Sequence, residues 1–307
     1  MPSPVFVSYS RRQSEWVWGR LVPVLKAGGS EILIDREQFE AARALRRQED
    51  EVQDRAGLNV LVLSPDYLAS EACQHEMKRA IARDPTFESG IAVPILRVDC
   101  PLPAAIKGPD PLCVDLRDDG APAPWELLVR KCGLDLGTSA PEWLQARDRI
   151  VLHLERDQSV NLVVTGRARW RPLVDHLRSH PSLGLGVVRL DSTEATHRPS
   201  LVREILNQCG CPPSGPVPDK PEDLVLLGRA LKALPRAPRL ALTSFDHVSH
   251  RMAQYEIDLF VALRDLMMDA RRLTLLITSH TPFAALLPHD HPLSEIDLKT
   301  VELKGRP

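Results

Sequence analysis

The chain has 307 residues, with 39 Lys+Arg against 41 Asp+Glu and a formal net charge of −2. That length is large for one compact core and suits two domains of about 150 residues each. The near balance of charge excludes a net field that recruits nucleic acid or an anionic membrane surface, so any partner must be argued locally.

The opening residues, MPSPVFVSYSRR, carry no basic segment followed by a long apolar one, and the apolar runs elsewhere are strand-length. Neither a signal peptide nor a membrane span is expected. Six cysteines (Cys73, Cys100, Cys113, Cys132, Cys209 and Cys211) are scattered without paired CxxC knuckles, the usage of a reduced, cytoplasmic protein. Cys209 and Cys211 read as two thiols at a helix end.

Short apolar runs alternate with longer amphipathic ones, the pattern of βα units on a parallel sheet. In the first half the predicted strands are PVFVSY (4–9), SEILID (30–35), NVLVLS (59–64), IAVPILRV (91–98) and PLCVDL (111–116). Helices are predicted at SEWVWGRLVPVLKAG (14–28), with Ser14 as N-cap and Gly28-Gly29 as the stop, and at SEACQHEMKRAIA (70–82). The boundary falls in GLDLGTSAPEW (133–143), which has two Gly, a Pro and little periodicity. The predicted division is a first domain over 1–134, a linker over 135–143 and a second domain over 144–307.

The second half repeats the theme with strands NLVVTG, LGVVRLD, RLALTSF, LTLLITS and LKTVEL. Helical patterns lie in RPLVDHLRS, SLVREILNQ and YEIDLFVALRDLMMDARR. A Pro-rich segment, CPPSGPVPDKP (211–221), reads as a mobile loop. No register of matching residues between the halves indicates an internal repeat.

VFVSYSRR, ILIDRE and LVLSPDYLASEACQHEM, in this order and spacing, resemble the three signature regions of the TIR (Toll/interleukin-1 receptor) domain, and VPILRVDCPLP resembles the strand and loop that follow them. The match covers roughly residues 3–133. The resemblance implies a flavodoxin-like doubly wound parallel sheet with functional loops at the carboxyl ends of its strands. It also implies an activity, since many TIR domains cleave NAD+ to nicotinamide and ADP-ribose or a cyclic variant, using one glutamate in the helix after the LS strand. Here that residue is Glu76.

One carboxylate is chemically sufficient. The nicotinamide of NAD+ is already cationic and leaves neutral, so no protonating acid is needed. Positive charge develops on the ribose as the bond breaks, and a fixed carboxylate nearby stabilises it. Such a contact is worth about 3 to 4 kcal/mol. The competing reading of Glu76 is a solvated helix residue beside Lys78 or Arg79, which spacing alone favours; the TIR pattern supports the catalytic one.

The resemblance further assigns substrate contacts to Ser8, Ser10 and Arg11 in the loop after the first strand, through hydroxyl and guanidinium groups. A solvated loop with a capping serine is the alternative there. Asp35 matches the acidic residue that positions the loop after the second strand. NAD+ enters as substrate, and no cofactor or metal is implied. Two positions depart from the family: the loop after ILID has Ala41-Ala42 in place of the usual glycine, and Ala72-Cys73 stands where Trp-Cys is common. The latter removes a packing indole beside the site and keeps a non-catalytic adaptor open as the alternative function.

NLVVTGRARWRPLVDHL resembles the strand, loop and helix of a P-loop, yet counting from Gly166 the Walker A positions are Arg171, Pro172 and Leu173. In RLALTSFDHV, aligning on FDHV puts Thr243 and Ser244 at the positions of the usual acidic pair, with Asp246 two residues late. Thr278 or Ser279 lies near a sensor position. The second domain thus resembles a STAND-type, P-loop NTPase-like α/β three-layer core whose catalytic groups have been replaced, an interaction or sensing module rather than an ATPase. Partners implied are other TIR domains through self-association and an activating protein through the second domain, with no membrane and no direct nucleic-acid contact. Three histidines, His280, His289 and His291, are discounted as a metal site.

Overall fold

The computed structural model describes residues 4–33, 51–107 and 113–306. It divides into two compact units, Met1–Leu144 and Gln145–Pro307. The division falls within the Ala140–Glu155 helix. Residues 140–143 of the predicted linker are therefore the first turn of a helix, and Leu136, Ala140 and Trp143 are buried.

The first unit is a parallel sheet of β1 (Val5–Tyr9), β2 (Ile32–Leu33), β3 (Leu58–Leu63), β4 (Ala92–Leu96) and β5 (Val114–Asp115), in the order β2-β1-β3-β4-β5. All six residues of β3 are buried. Successive side chains of a strand point to opposite faces, so a wholly buried LNVLVL means that both faces are covered, the signature of a parallel sheet. The register sets Ser8 beside Leu61 and Tyr9 beside Val62. In this strand order the crevice opens at the carboxyl ends of β1 and β3, where the chain reverses its direction of winding.

The helical run over 14–27 includes a π-helical stretch, Val17–Leu21, and buries Val17, Leu21, Val24 and Leu25. Ser14 is not its N-cap. Helical geometry begins one turn earlier, at the 3₁₀ turn Arg11–Gln13, because the Gln13 N–H closes on the Ser10 carbonyl at 2.7 Å and extended Ser10 takes the flanking position. Gly28 and Gly29 do end the run, with Gly29 at φ 97°.

The second unit is a parallel sheet of β6 (Val160–Thr165), β7 (Leu185–Arg189), β8 (Arg239–Thr243), β9 (Thr274–Ser279) and β10 (Lys299–Lys304), in the order β10-β6-β9-β8-β7. Edge strand β10 buries Val301 and Leu303 and exposes Thr300, Glu302 and Lys304, a charged alternation that discourages edge pairing. The core gathers Leu201, Leu227, Leu240, Phe245, Leu263 and Leu275, and Cys211 and Val217 of the Pro-rich loop pack against it. The run YEIDLFVALRDLMMDARR is not one helix from its start. Glu256 takes φ 63° between the Asp246–Tyr255 and Ile257–Met268 helices. Buried Arg198 holds Glu256 and Asp258 at 3.2 and 2.6 Å, which fixes the break.

Candidate functional site

Ser70 caps the Glu71–Arg83 helix, its hydroxyl accepting from the Cys73 N–H at 3.4 Å. Cys73, Met77 and Ala80 form the buried stripe of this helix. Residue 76 lies three positions after Cys73 and four before Ala80, so Glu76 belongs to the same face. A carboxylate on an apolar stripe must find a partner as it loses water. Its Oε2 accepts a short hydrogen bond from the Ser8 hydroxyl on β1.

Ser8 is 1% exposed, and its oxygen also lies 2.7 Å from the Tyr67 hydroxyl. Tyr67 is fully buried on the Pro65–Ala69 turn, whose cap, Ser64, accepts from the Tyr67 N–H at 3.1 Å. Burial pushes the Tyr67 phenol well above its ordinary pKa, the Ser8 hydrogen bond opposes this, and the charge of Glu76 adds to it, joined by Cys73 only at the high pH where that thiol ionises. Burial likewise pushes the Cys73 thiol up to about 11, the Glu76 charge adding to it and the Ser70 hydrogen bond opposing. Cys73 is a neutral packing residue at pH 7, its sulfur 3.7 Å from the Tyr9 carbonyl.

The helix backbone is anchored too. Buried Gln53 donates to the Glu76 carbonyl at 2.9 Å and accepts from Arg79 Nε at 3.2 Å, while Arg83 donates to the Gln53 carbonyl at 2.9 Å. The structure thus brings Ser8 and Glu76 together. Ser10 and Arg11 stand on the turn after β1, Arg11 exposed. Asp35 and the Ala41-Ala42 loop lie outside the described residues. Ala72, in place of an indole, is exposed on the same helix as Glu76. Tyr67 and Gln53 escaped sequence reasoning; the signal for Tyr67 was its place three residues after the capping Ser64, under the turn that precedes the helix.

In the second unit the loop after β6 meets the chain's own carboxyl-terminal backbone. Gly166 has φ 60°, and a Cβ on Gly305 would collide with the backbone nitrogens of Arg167 and Ala168. The Arg167 N–H donates to the Arg306 carbonyl at 3.2 Å, and the Gly305 N–H to the Thr165 carbonyl at 2.8 Å. Arg171 pairs with Asp191 at 2.8 Å, and Leu173 is fully buried. Asp246 accepts from the His280 N–H, Thr278 from the Ser244 N–H at 3.0 Å, and Ser279 from Asn161 at 2.9 Å. Among the described residues no three His, Cys, Asp or Glu side chains are grouped to hold a metal ion. No helix among them is long and apolar enough to cross a membrane.

The family model described as a TIR domain matches residues 5–129. The TIR domain of a Toll-related receptor from Hydra magnipapillata is 20% identical, covering 42% of this chain and 96% of that one, with a TM-score of 0.36. Drosophila ORC bound to DNA is 13% identical over 53% of this chain and 90% of that one, at a TM-score of 0.39. A Walker-type ATPase of Pyrococcus abyssi is 12% identical, at a TM-score of 0.37, and the match spans 52% of each chain. No curated protein matches the chain. Residues 5–129 of this chain are a TIR domain.

Proposed function

We propose that this chain is an NAD+ nucleosidase, cleaving the glycosidic bond to nicotinamide and releasing ADP-ribose in linear or cyclic form, with Glu76 as the catalytic carboxylate. The observation that carries this reading is Glu76 itself: a half-buried carboxylate on an otherwise apolar helix stripe, bonded to Ser8 at the β1/β3 switch point of a TIR domain. A carboxylate held there lies near the carboxyl ends of β1 and β3, where a doubly wound sheet of this order takes its ligand. It stabilises the positive charge that develops as nicotinamide leaves, without a second acid. Ser10 and Arg11, on the turn after β1, supply a hydroxyl and a guanidinium for the ribose or a phosphate; Asp35 orders the next loop.

Activity depends on self-association of TIR domains, which completes the pocket, in a cytoplasmic protein acting in bacterial anti-phage defence or signalling. The second unit couples the TIR domain to an activating protein. Against an NTPase role stand the replaced Walker positions and the engagement of the loop after β6 by Gly305 and Arg306. A second reading, a TIR scaffold without turnover, is favoured by one observation: exposed Ala72 provides no aromatic wall beside Glu76.

Nicotinamide release from NAD+ by the full chain, beside Glu76→Gln, tests the choice. The glycosidase reading expects release that falls about a hundredfold to a thousandfold in the variant. Equal release by both proteins would overturn the role of Glu76, and release by neither under assembling conditions would favour the scaffold.

A further inference from the structure

The resemblance gives Ser8 a substrate contact, but its hydroxyl is buried and turned to Glu76, and the chemistry proposed above uses neither it nor the buried hydroxyl of Tyr67. Their geometry gives both a task. A serine hydroxyl has a single proton, and that of Ser8 goes to the Glu76 carboxylate. The 2.7 Å contact between Ser8 and Tyr67 must then run from the phenol O–H to the Ser8 oxygen. Tyr67 has its proton to give, because burial keeps its phenol neutral.

We propose that Tyr67 is a positioning residue for Glu76, acting through Ser8: a buried relay from the Tyr67 O–H to the Ser8 O–H to the Glu76 carboxylate sets the orientation of the carboxylate and favours its ionised form. The proposal rests on the catalytic reading of Glu76 for its functional meaning, though not for its geometry. Each member is held independently. Tyr67 is fixed by the Ser64 cap, Ser8 by its place in β1 paired to β3, and the Glu76 main chain by Gln53. Hydrogen bonds in series polarise one another, so the outer hydroxyl strengthens the inner bond. A carboxylate oriented before substrate arrives needs no reorganisation as charge develops.

Among the described residues, the titratable and charged groups on the same helix include Cys73, neutral at pH 7, His75, Lys78 and Arg79, and Tyr9 and Arg11 stand at the end of β1. Asp54 is paired with Arg79 at 2.8 Å. Replacing Tyr67 with Phe changes none of these charges, which makes Tyr67→Phe the informative variant.

The test is a double-mutant cycle on the full chain, read by the carboxyl ¹³C titration of Glu76, with the resonance assigned by Glu76→Gln. Donation to a carboxylate lowers its pKa, so Tyr67→Phe is expected to raise the midpoint and Ser8→Ala to raise it further. In the Ser8→Ala background Tyr67→Phe is expected to add nothing. In turnover, kcat falls about threefold to tenfold for Tyr67→Phe and about tenfold to a hundredfold for Ser8→Ala, with KM little changed, as expected for loss of one hydrogen bond to a charged group. Ser8→Thr, which keeps the hydroxyl, restores both readouts. An unchanged midpoint in Tyr67→Phe, or an equal shift with and without the Ser8 hydroxyl, would overturn the relay. Should Ser8→Ala fail to fold, Tyr67→Phe alone and in the Ser8→Thr background decides by the same titration. If the wild-type chain releases no nicotinamide while the titration cycle behaves as expected, the functional reading fails and the relay stands.

Discussion

At position 76 a carboxylate stands on a helix stripe otherwise given to Cys73, Met77 and Ala80. The sequence makes that position visible through helical spacing but hides its partner, since Ser8 lies 68 residues away. Spacing alone treats Glu76 as a solvated residue; the family pattern and the contact to Ser8 supply what periodicity cannot. Tyr67 was missed for a similar reason: its place three residues after Ser64 marks a cap, but its burial shows only once β1 is laid against β3. Elsewhere a buried charge offers a sharper test of packing. Arg198 and Asp223 have side chains only 3% and 1% exposed, and their atoms approach to 2.5 Å. Arg198→Met is expected to destabilise the second unit by about 3 to 5 kcal/mol, because Asp223 keeps its charge in a dry site. Denaturant unfolding measures this, and adding Asp223→Leu is expected to recover most of the loss. A small effect of Arg198→Met alone would mean that water reaches Asp223.

Among the elements, strands were the most legible, because short, unbroken apolar runs such as LNVLVL and TLLITS suit a strand covered on both faces and are too short for a buried helix. Helix starts were less so. Ser14 looks like a cap, yet the turn that closes on Ser10 is set by the loop after β1, a tertiary effect that local propensity does not see. The loop after the Glu71–Arg83 helix rests on Asp84, which accepts from the N–H groups of Ser89, Ile91 and Ala92 at 3.2, 2.9 and 3.2 Å. Burial alone would raise its pKa, but the Ser89 side chain and the three N–H donors outweigh it and hold the carboxyl below the usual range. A depressed folded pKa contributes stability above the unfolded value, about 3.9 for Asp, that is lost as pH falls through the folded value. The stability gap between wild type and Asp84→Asn, present at pH 7, is therefore expected to close below about pH 4. A gap unchanged at low pH would contradict it. The close approach of Gly305 to the loop after β6 predicts that Gly305→Ala lowers stability by about 1 to 3 kcal/mol, since its Cβ would meet backbone atoms that cannot step aside. Thermal unfolding reads this directly.

At the scale of the molecule, the alternation of strand and helix patterns was enough to predict two parallel-sheet units, and the strand orders follow from the pairing. The sequence was nearly silent on what the second unit contributes, because its strand and helix patterns specify a parallel-sheet unit without naming a ligand. The proposed self-association of TIR domains predicts collective turnover: nicotinamide release per protomer is expected to rise with protein concentration, and full activity in a dilute monomer would refute that dependence. On the proposed reading, Glu76 makes this chain an enzyme. The most direct test of that reading is nicotinamide release from NAD+ by the concentrated full chain, with and without Glu76→Gln. Release from the wild type is expected, and the substitution is expected to reduce it by about a hundredfold or more. Release unaffected by the substitution, or none from either assembled protein, would contradict it.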